Sequence, residues 1–297
     1  MRAIFVALII LFSPSLWANI NIITTTSDLA AIAKTIGGDK VSVTSLTKGT
    51  RDPHYAQAKP SMIRKLFRAD LLVLVGAEME VGWLPALIRS SRNKRVLPNN
   101  EGYLDISKVI DLKGKPGQRV TRDMGDVHGA GNPHYWLDPS NGILMAKAIA
   151  DRFGMLDPAN KAVYSDNFAE FKLQLEQKIV RWKSELQRFS GEKILAYHTS
   201  LLYLSTAFNL DVRGYIEPQP GLSPSASHLN RLLKKIESEN IRYILMEPYY
   251  ETRSAKLLQR KTNINLVIIP QSVGSQPQIK SYFDLFDSIV NALKAVQ

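Results

Sequence analysis

The chain has no cysteine among its 297 residues. A disulfide framework, a thiolate metal ligand and a lipid attached through a thioether are therefore all excluded by composition. Histidine is scarce as well, with five in the chain, so any grouping of them stands out. Beyond residue 18 no apolar run approaches the roughly 20 residues that a membrane-spanning helix needs. No HExxH motif is present, and no nucleic-acid recognition motif. Acidic residues are outnumbered, 27 against 38 Lys and Arg, which leaves a net charge of +11. The surplus is scattered over several stretches: Arg89, Arg92, Lys94 and Arg95; Arg231, Lys234 and Lys235; Arg253, Lys256, Arg260 and Lys261. Scattered cations read as solvated faces with some attraction to an anionic membrane surface, and nucleic acid is not an expected partner.

What is present begins with a segment that reads as a leader. Arg2 supplies a positive start, residues 3–12 are continuously apolar, Pro14 and Ser15 break the run, and Ala18 offers a small residue before Asn19. This is the pattern of a secretory signal peptide over residues 1–18. The expectation is a soluble periplasmic protein, monomeric and without a lipid anchor. A cysteine-free chain of this size can bury enough surface to fold unaided.

After residue 19, strand-like and helix-like runs alternate, which predicts mostly parallel sheets covered by helices. Strands are expected at 21–25, 41–46, 71–75 and 95–97, with helices at 28–36, 60–68 and 81–89. Residues 113–132 carry five glycines and few apolar side chains, and read as a mobile surface loop. A helix follows Asp138-Pro139 and runs to about 153. Tyr164, Phe168, Phe171, Leu175, Ile179, Trp182, Leu186 and Phe189 then repeat at threes and fours, one apolar stripe on a helix over 158–189. A second block predicts strands at 193–197, 242–246 and 265–269, and helices at 199–208, 225–237, 253–261 and 280–295. The fold class is thus α/β: two lobes, each a mostly parallel sheet flanked by helices, joined by one long rigid helix. The expected divisions are 19–157, 158–189 and 190–297.

Three of the five histidines fall in similar settings. His54 follows Asp52-Pro53, in a loop between a strand and a helix started by Pro60. His134 follows Asn132-Pro133 and leads into Trp136, Leu137, Asp138 and Pro139. His198 comes directly after a strand, where a helix begins. Ligands of open α/β sheets bind at the carboxyl ends of strands, so these three can meet between the lobes. Three neutral imidazoles suit zinc, whose tetrahedral sites accept them with one further donor. His128, with Asp123 and Asp126 in the glycine-rich loop, reads mainly as loop, and His228 as surface.

The motifs Asp52-Pro53-His54-Tyr55 with Lys59-Pro60-Ser61, Asn132-Pro133-His134-Tyr135-Trp136-Leu137-Asp138-Pro139, and Tyr197-His198-Thr199-Ser200 resemble those of the zinc- and manganese-binding proteins of ABC importers. Glu217-Pro218-Gln219-Pro220-Gly221 and Met246-Glu247-Pro248 resemble second-lobe segments of the same family. The resemblance runs the length of the expected mature chain, in order. It implies two lobes, a metal captured between them and delivery to a membrane permease. It implies His54, His134 and His198 as ligands. The family usually adds a late carboxylate, and Gln271 stands in that place here. Glu247, Glu217 and Asp52 are the other candidates for a fourth donor or a supporting role. A histidine at the third position implies zinc, with manganese the lesser expectation. A zinc hydrolase with a three-histidine site and a periplasmic metal buffer or adhesin are the rival readings; an enzyme is not expected.

Overall fold

The computed structural model describes residues 19–117 and 128–296. The expected leader and the middle of the 113–132 loop, with Asp123 and Asp126, lie outside the described residues.

Two four-stranded parallel sheets form the frame. The first contains β1 (Ile20–Thr24), β2 (Val41–Ser45), β3 (Leu71–Leu74) and β4 (Tyr103–Asp105), in the order β2-β1-β3-β4. The second contains β5 (Lys193–Ala196), β6 (Asp211–Tyr215), β7 (Tyr243–Met246) and β8 (Asn265–Ile268), in the order β6-β5-β7-β8. Every pairing is parallel. The interior strands β3 and β7 are buried along their whole length. That is why they read as unbroken apolar runs. The strand order reverses beside β1 and β5, and crevices at such reversals are where open α/β sheets hold ligands.

Helices cover both faces of each sheet. On one side lie α1 (Ser27–Gly37), α4 (Pro139–Leu156), the long α5 (Lys161–Glu185), α6 (Leu202–Ala207) and α9 (Tyr282–Lys294). Their apolar faces merge into a single core that spans both sheets. On the other side α2 (Pro60–Phe67) and α3 (Leu84–Ser91) cap the first sheet over a separate core. In the same way α7 (Ala226–Glu239) and α8 (Arg253–Thr262) cap the second.

The eight-residue apolar stripe is inside: Tyr164, Phe171, Leu175, Trp182, Leu186 and Phe189 are buried, and Phe168 and Ile179 pack against the same core. The regular helix is shorter than the stripe. Residues Pro158–Asn160 and Gln187–Phe189 form 3-10 turns at its two ends, and 25 residues between them are α-helical. Pro158 has no N–H to continue the preceding helix. Gly191, with φ of 78°, turns the chain into β5.

Two expectations are corrected. Residues 95–97 are not a strand: Lys94–Val96 is a 3-10 turn, because the Asn93 side chain takes the Arg95 N–H at 3.0 Å. The ladder position beside β3 goes to β4 instead. The second sheet also has a strand that went unpredicted. β6 is a half-buried edge, and its charged, glycine-containing sequence DVRGY carries little strand signal.

Trp182 is fully buried on α5, packs on Phe286 and donates from Nε1 to Asp287 at 2.7 Å. Trp182→Ala should cost about 3–5 kcal/mol. Denaturant unfolding should show it as a lower midpoint in a single transition, since the core behind it is shared by both sheets.

Candidate metal centre

The two Pro-His motifs build the same local device. In Asp52-Pro53-His54, Asp52 Oδ1 accepts both the His54 backbone N–H at 2.9 Å and the ring Nδ1–H at 2.8 Å. In Asn132-Pro133-His134, Asn132 Oδ1 accepts the His134 backbone N–H and ring Nδ1–H, both at 3.0 Å. A short side chain bearing an oxygen suits a bond to the residue two positions on, and the intervening proline presets the turn. The ring is left with its Nδ1 occupied, so that Nε2 is the nitrogen available to a ligand. His198 reaches the same state by a distant partner, donating from Nδ1 to Glu217 Oε2 at 2.7 Å.

The three expected histidines converge. Ring centroids are 5.0 Å apart for His54 and His134, 5.6 Å for His134 and His198, and 6.1 Å for His54 and His198. Rings bound through one nitrogen to a common tetrahedral ion at about 2.0–2.1 Å would have centroids roughly 5 Å apart. His134 and His198 are almost sealed from solvent, at 2% and 3% exposure. Loops from both halves of the chain close over them. Asn132 donates to the Thr199 carbonyl at 2.8 Å, Tyr203 donates to the Asn132 carbonyl at 2.9 Å, and Trp136 donates to the Gln271 carbonyl at 2.9 Å.

A fourth histidine joins them. His128 stacks on His54 at 5.1 Å between centroids, and the two Nε2 atoms are 3.0 Å apart. Because His54 Nδ1 carries its proton toward Asp52, His128 is the donor in that contact. Its segment is pinned: Gly129 N–H donates to Glu78 Oε2 at 2.7 Å. Glu78 itself sits in a strained elbow, where Gly76, Ala77 and Glu78 all adopt positive φ. The loop residue His128 thus stands beside His54. The signal available in the sequence was scarcity: four of five histidines share one place. Glu78 and Ser200 gave no such signal. His228 is half-buried elsewhere, donating to the Tyr215 carbonyl at 3.0 Å.

The acids divide by role. Asp52 and Glu217 orient rings. Glu247 is fully buried, with Oε1 accepting from Ser200 and Oε2 left without a partner among the described residues. Gln271 is buried too, and neither atom of its amide has a partner there. Buried polar atoms left unpaired point to a missing polar occupant such as an ion or its water.

The electrostatics resist protonation of some rings and favour it in one. Burial, helped by His54 and His198, pushes His128 down to about 3 and His134 well below the ordinary imidazole value. Burial also opposes charge on His198, but Glu217, Glu247 and Asp52 outweigh it and raise the ring. Desolvation lifts Glu247 to about 7. Among the described residues no three His, Asp or Glu side chains are closed enough to hold an ion without movement.

Residues 22–296 match the family model of the periplasmic zinc-uptake complex component A. The metal ABC transporter substrate-binding lipoprotein SloC of Streptococcus mutans is 26% identical over 286 residues, covering 92% of this chain and 90% of that protein. The manganese ABC transporter substrate-binding lipoprotein PsaA of Streptococcus pneumoniae is 26% identical over 264 residues, covering 86% and 82%. Among solved structures, a crystal structure of ZnuA matches with a TM-score of 0.75 at 23% identity, over 94% of this chain and 98% of that one. The manganese-bound periplasmic metal-binding protein of Candidatus Liberibacter asiaticus matches at 0.76 and 20%, over 94% and 99%. At such identities these two structures speak for the two-sheet fold.

Removing the Glu78 carboxylate should release the His128 segment. Glu78→Ala should raise the amide hydrogen-exchange rate of Gly129 by about tenfold, one hydrogen bond to a charged group being worth about 1.5–3 kcal/mol. The Trp83 indole bond to the Pro53 carbonyl, 3.1 Å in the same region, serves as the unchanged reference.

Proposed function

The chain belongs to the family of periplasmic zinc-uptake component A proteins, the substrate-binding proteins of metal ABC importers, and from that premise we propose that it captures zinc on His54, His134 and His198, with His128 as the closing donor. The observation that carries this reading is the common state of the first three rings, each with Nδ1 tied to an oxygen and all three within 6.1 Å of one another. Imidazole nitrogen suits zinc, whereas manganese favours carboxylate oxygen. The carboxylates nearest the rings are spent on orienting them, and Gln271 supplies no charge. Relatives named for manganese make the comparison with that ion the decisive one.

Glu247 and Gln271 stand beside this donor set with unpaired atoms and serve as outer partners of the ion or its water. The captured ion passes to a membrane permease. Among the described residues no helix is long and apolar enough to cross a membrane. Several relatives are named lipoproteins. This chain has no cysteine to carry such a lipid, and we read it as a freely diffusing monomeric carrier. Two nearly sealed rings favour a carrier over a hydrolase, which needs an ion-bound water open to substrate.

The test is competition titration of metal-free protein with zinc and manganese. Zinc should win by several orders of magnitude; preference for manganese would overturn the assignment. In the same assay His134→Ala should lose at least about 100-fold in zinc affinity, because outer-shell partners alone are worth about 10–100-fold. Gln271→Ala should stay within about tenfold. A larger loss at Gln271 would move the fourth donor there.

Acidification should weaken capture. Zinc takes neutral imidazole, and His198 holds its proton more firmly than an ordinary histidine. Binding must therefore displace a proton, and affinity should fall as pH drops below neutral. Calorimetry in buffers of different ionisation enthalpy would detect that proton; equal affinity at pH 7.5 and about 5.5 would contradict an imidazole site.

A further inference from the structure

Beside the His54 loop lies a cavity of about 210 Å³, lined by residues that follow β2 and by the start of α2. Lys48, Arg51, Lys59 and Lys65 line it. None of the four is in an ion pair among the described residues, so no carboxylate there neutralises the group. Among the described residues the one side-chain bond drawn by any of them is from Lys65 Nζ to the Ser45 carbonyl, at a long 3.5 Å. The one acid on the wall, Asp52, already has partners: Oδ1 is occupied by His54, and Oδ2 accepts from the Tyr250 hydroxyl at 3.5 Å. The helix α2 also begins at this cavity without a side-chain cap. Four like charges around one small space repel one another and persist most favourably when an anion lies among them.

We propose that this cavity is a binding site for a tetrahedral oxyanion, a phosphate or sulfate group. The volume admits a group of that size with its water. Lys48 and Arg51 precede His54 in the chain, and Lys59 and Lys65 follow it, so a bound oxyanion joins the two ends of the loop that carries His54. The source of the group is either a free oxyanion or the phosphate of an anionic phospholipid, since the chemistry of recognition is the same.

The test is calorimetric titration of the whole protein with sodium sulfate in a low-salt buffer free of phosphate. Saturable one-to-one binding is expected, weakened at least about tenfold in Lys59→Ala/Lys65→Ala by the loss of two charge-assisted contacts. Lys48→Ala/Arg51→Ala should do the same, so that two independent pairs guard against a local folding defect. Protein stripped of metal with a chelator should bind sulfate as the zinc-loaded protein does, which separates this site from the metal reading. Co-sedimentation with phosphatidylglycerol vesicles, against phosphatidylcholine vesicles, identifies the source. Binding lost in the Lys59/Lys65 variant assigns the lipid headgroup, and absence of vesicle binding assigns the free ion. No saturation with sulfate up to about 10 mM together with no vesicle binding, or variants that bind both as well as the unaltered protein, would overturn the proposal.

Discussion

The site depends on a single requirement, that each buried imidazole have its Nδ1 proton accepted by an oxygen. A neutral imidazole has one donor and one acceptor nitrogen, and the partner on one decides the character of the other. Asp52, Asn132 and Glu217 make that decision for His54, His134 and His198. Much around the site follows from holding those three oxygens in place. Asn132 is fixed across the lobes by Thr199 and Tyr203, and Glu217 also accepts from Gly221 at 3.2 Å. Proline before each of the first two histidines removes a backbone freedom that would let the oxygen drift.

The frame makes such precision possible. One apolar core runs from α1 through α4 and α5 to α9, so the two sheets do not hang on a flexible strap. Additional bonds tie the halves directly: Asp28 on α1 accepts Val273 N–H at 2.8 Å, and Tyr282 on α9 donates to the Trp136 carbonyl at 2.6 Å. Rotation of one lobe against the other would have to expose part of the α5 stripe and break these bonds together. The His128 segment is held more lightly, by the bond from Gly129 to Glu78 and by the contact of His128 with His54.

Much of this was legible in the sequence because it rests on local pattern. Unbroken apolar runs marked β3 and β7, the stripe marked α5, and the two Asx-Pro-His turns carried their own orienting oxygen within two residues. Long-range partnerships left weaker marks. Glu217 pairs with a ring 19 positions away, and nothing in its surroundings distinguishes that from a salt bridge or a cap. His128 lies in a glycine-rich stretch, where local propensity says only loop; its place is set by Glu78, 50 positions earlier, and by stacking on His54. The strand β6 was missed because an edge strand need not be apolar, and the turn at Lys94–Val96 was misread because a side-chain cap outcompeted the ladder for one N–H.

Two of the indoles have an optical consequence. Trp136 lies 5.3 Å from the His134 ring, and Trp83 holds the carbonyl of the residue just before His54. Trp182, by contrast, sits deep in the core on α5. Of the three tryptophans among the described residues, two therefore emit from beside the rings, while the third reports on the frame. A change in the charge or orientation of the rings alters the surroundings of the first pair and leaves the third dark to it. The carrier thus contains its own fluorophores and its own internal standard, with no dye and no cysteine to attach one to.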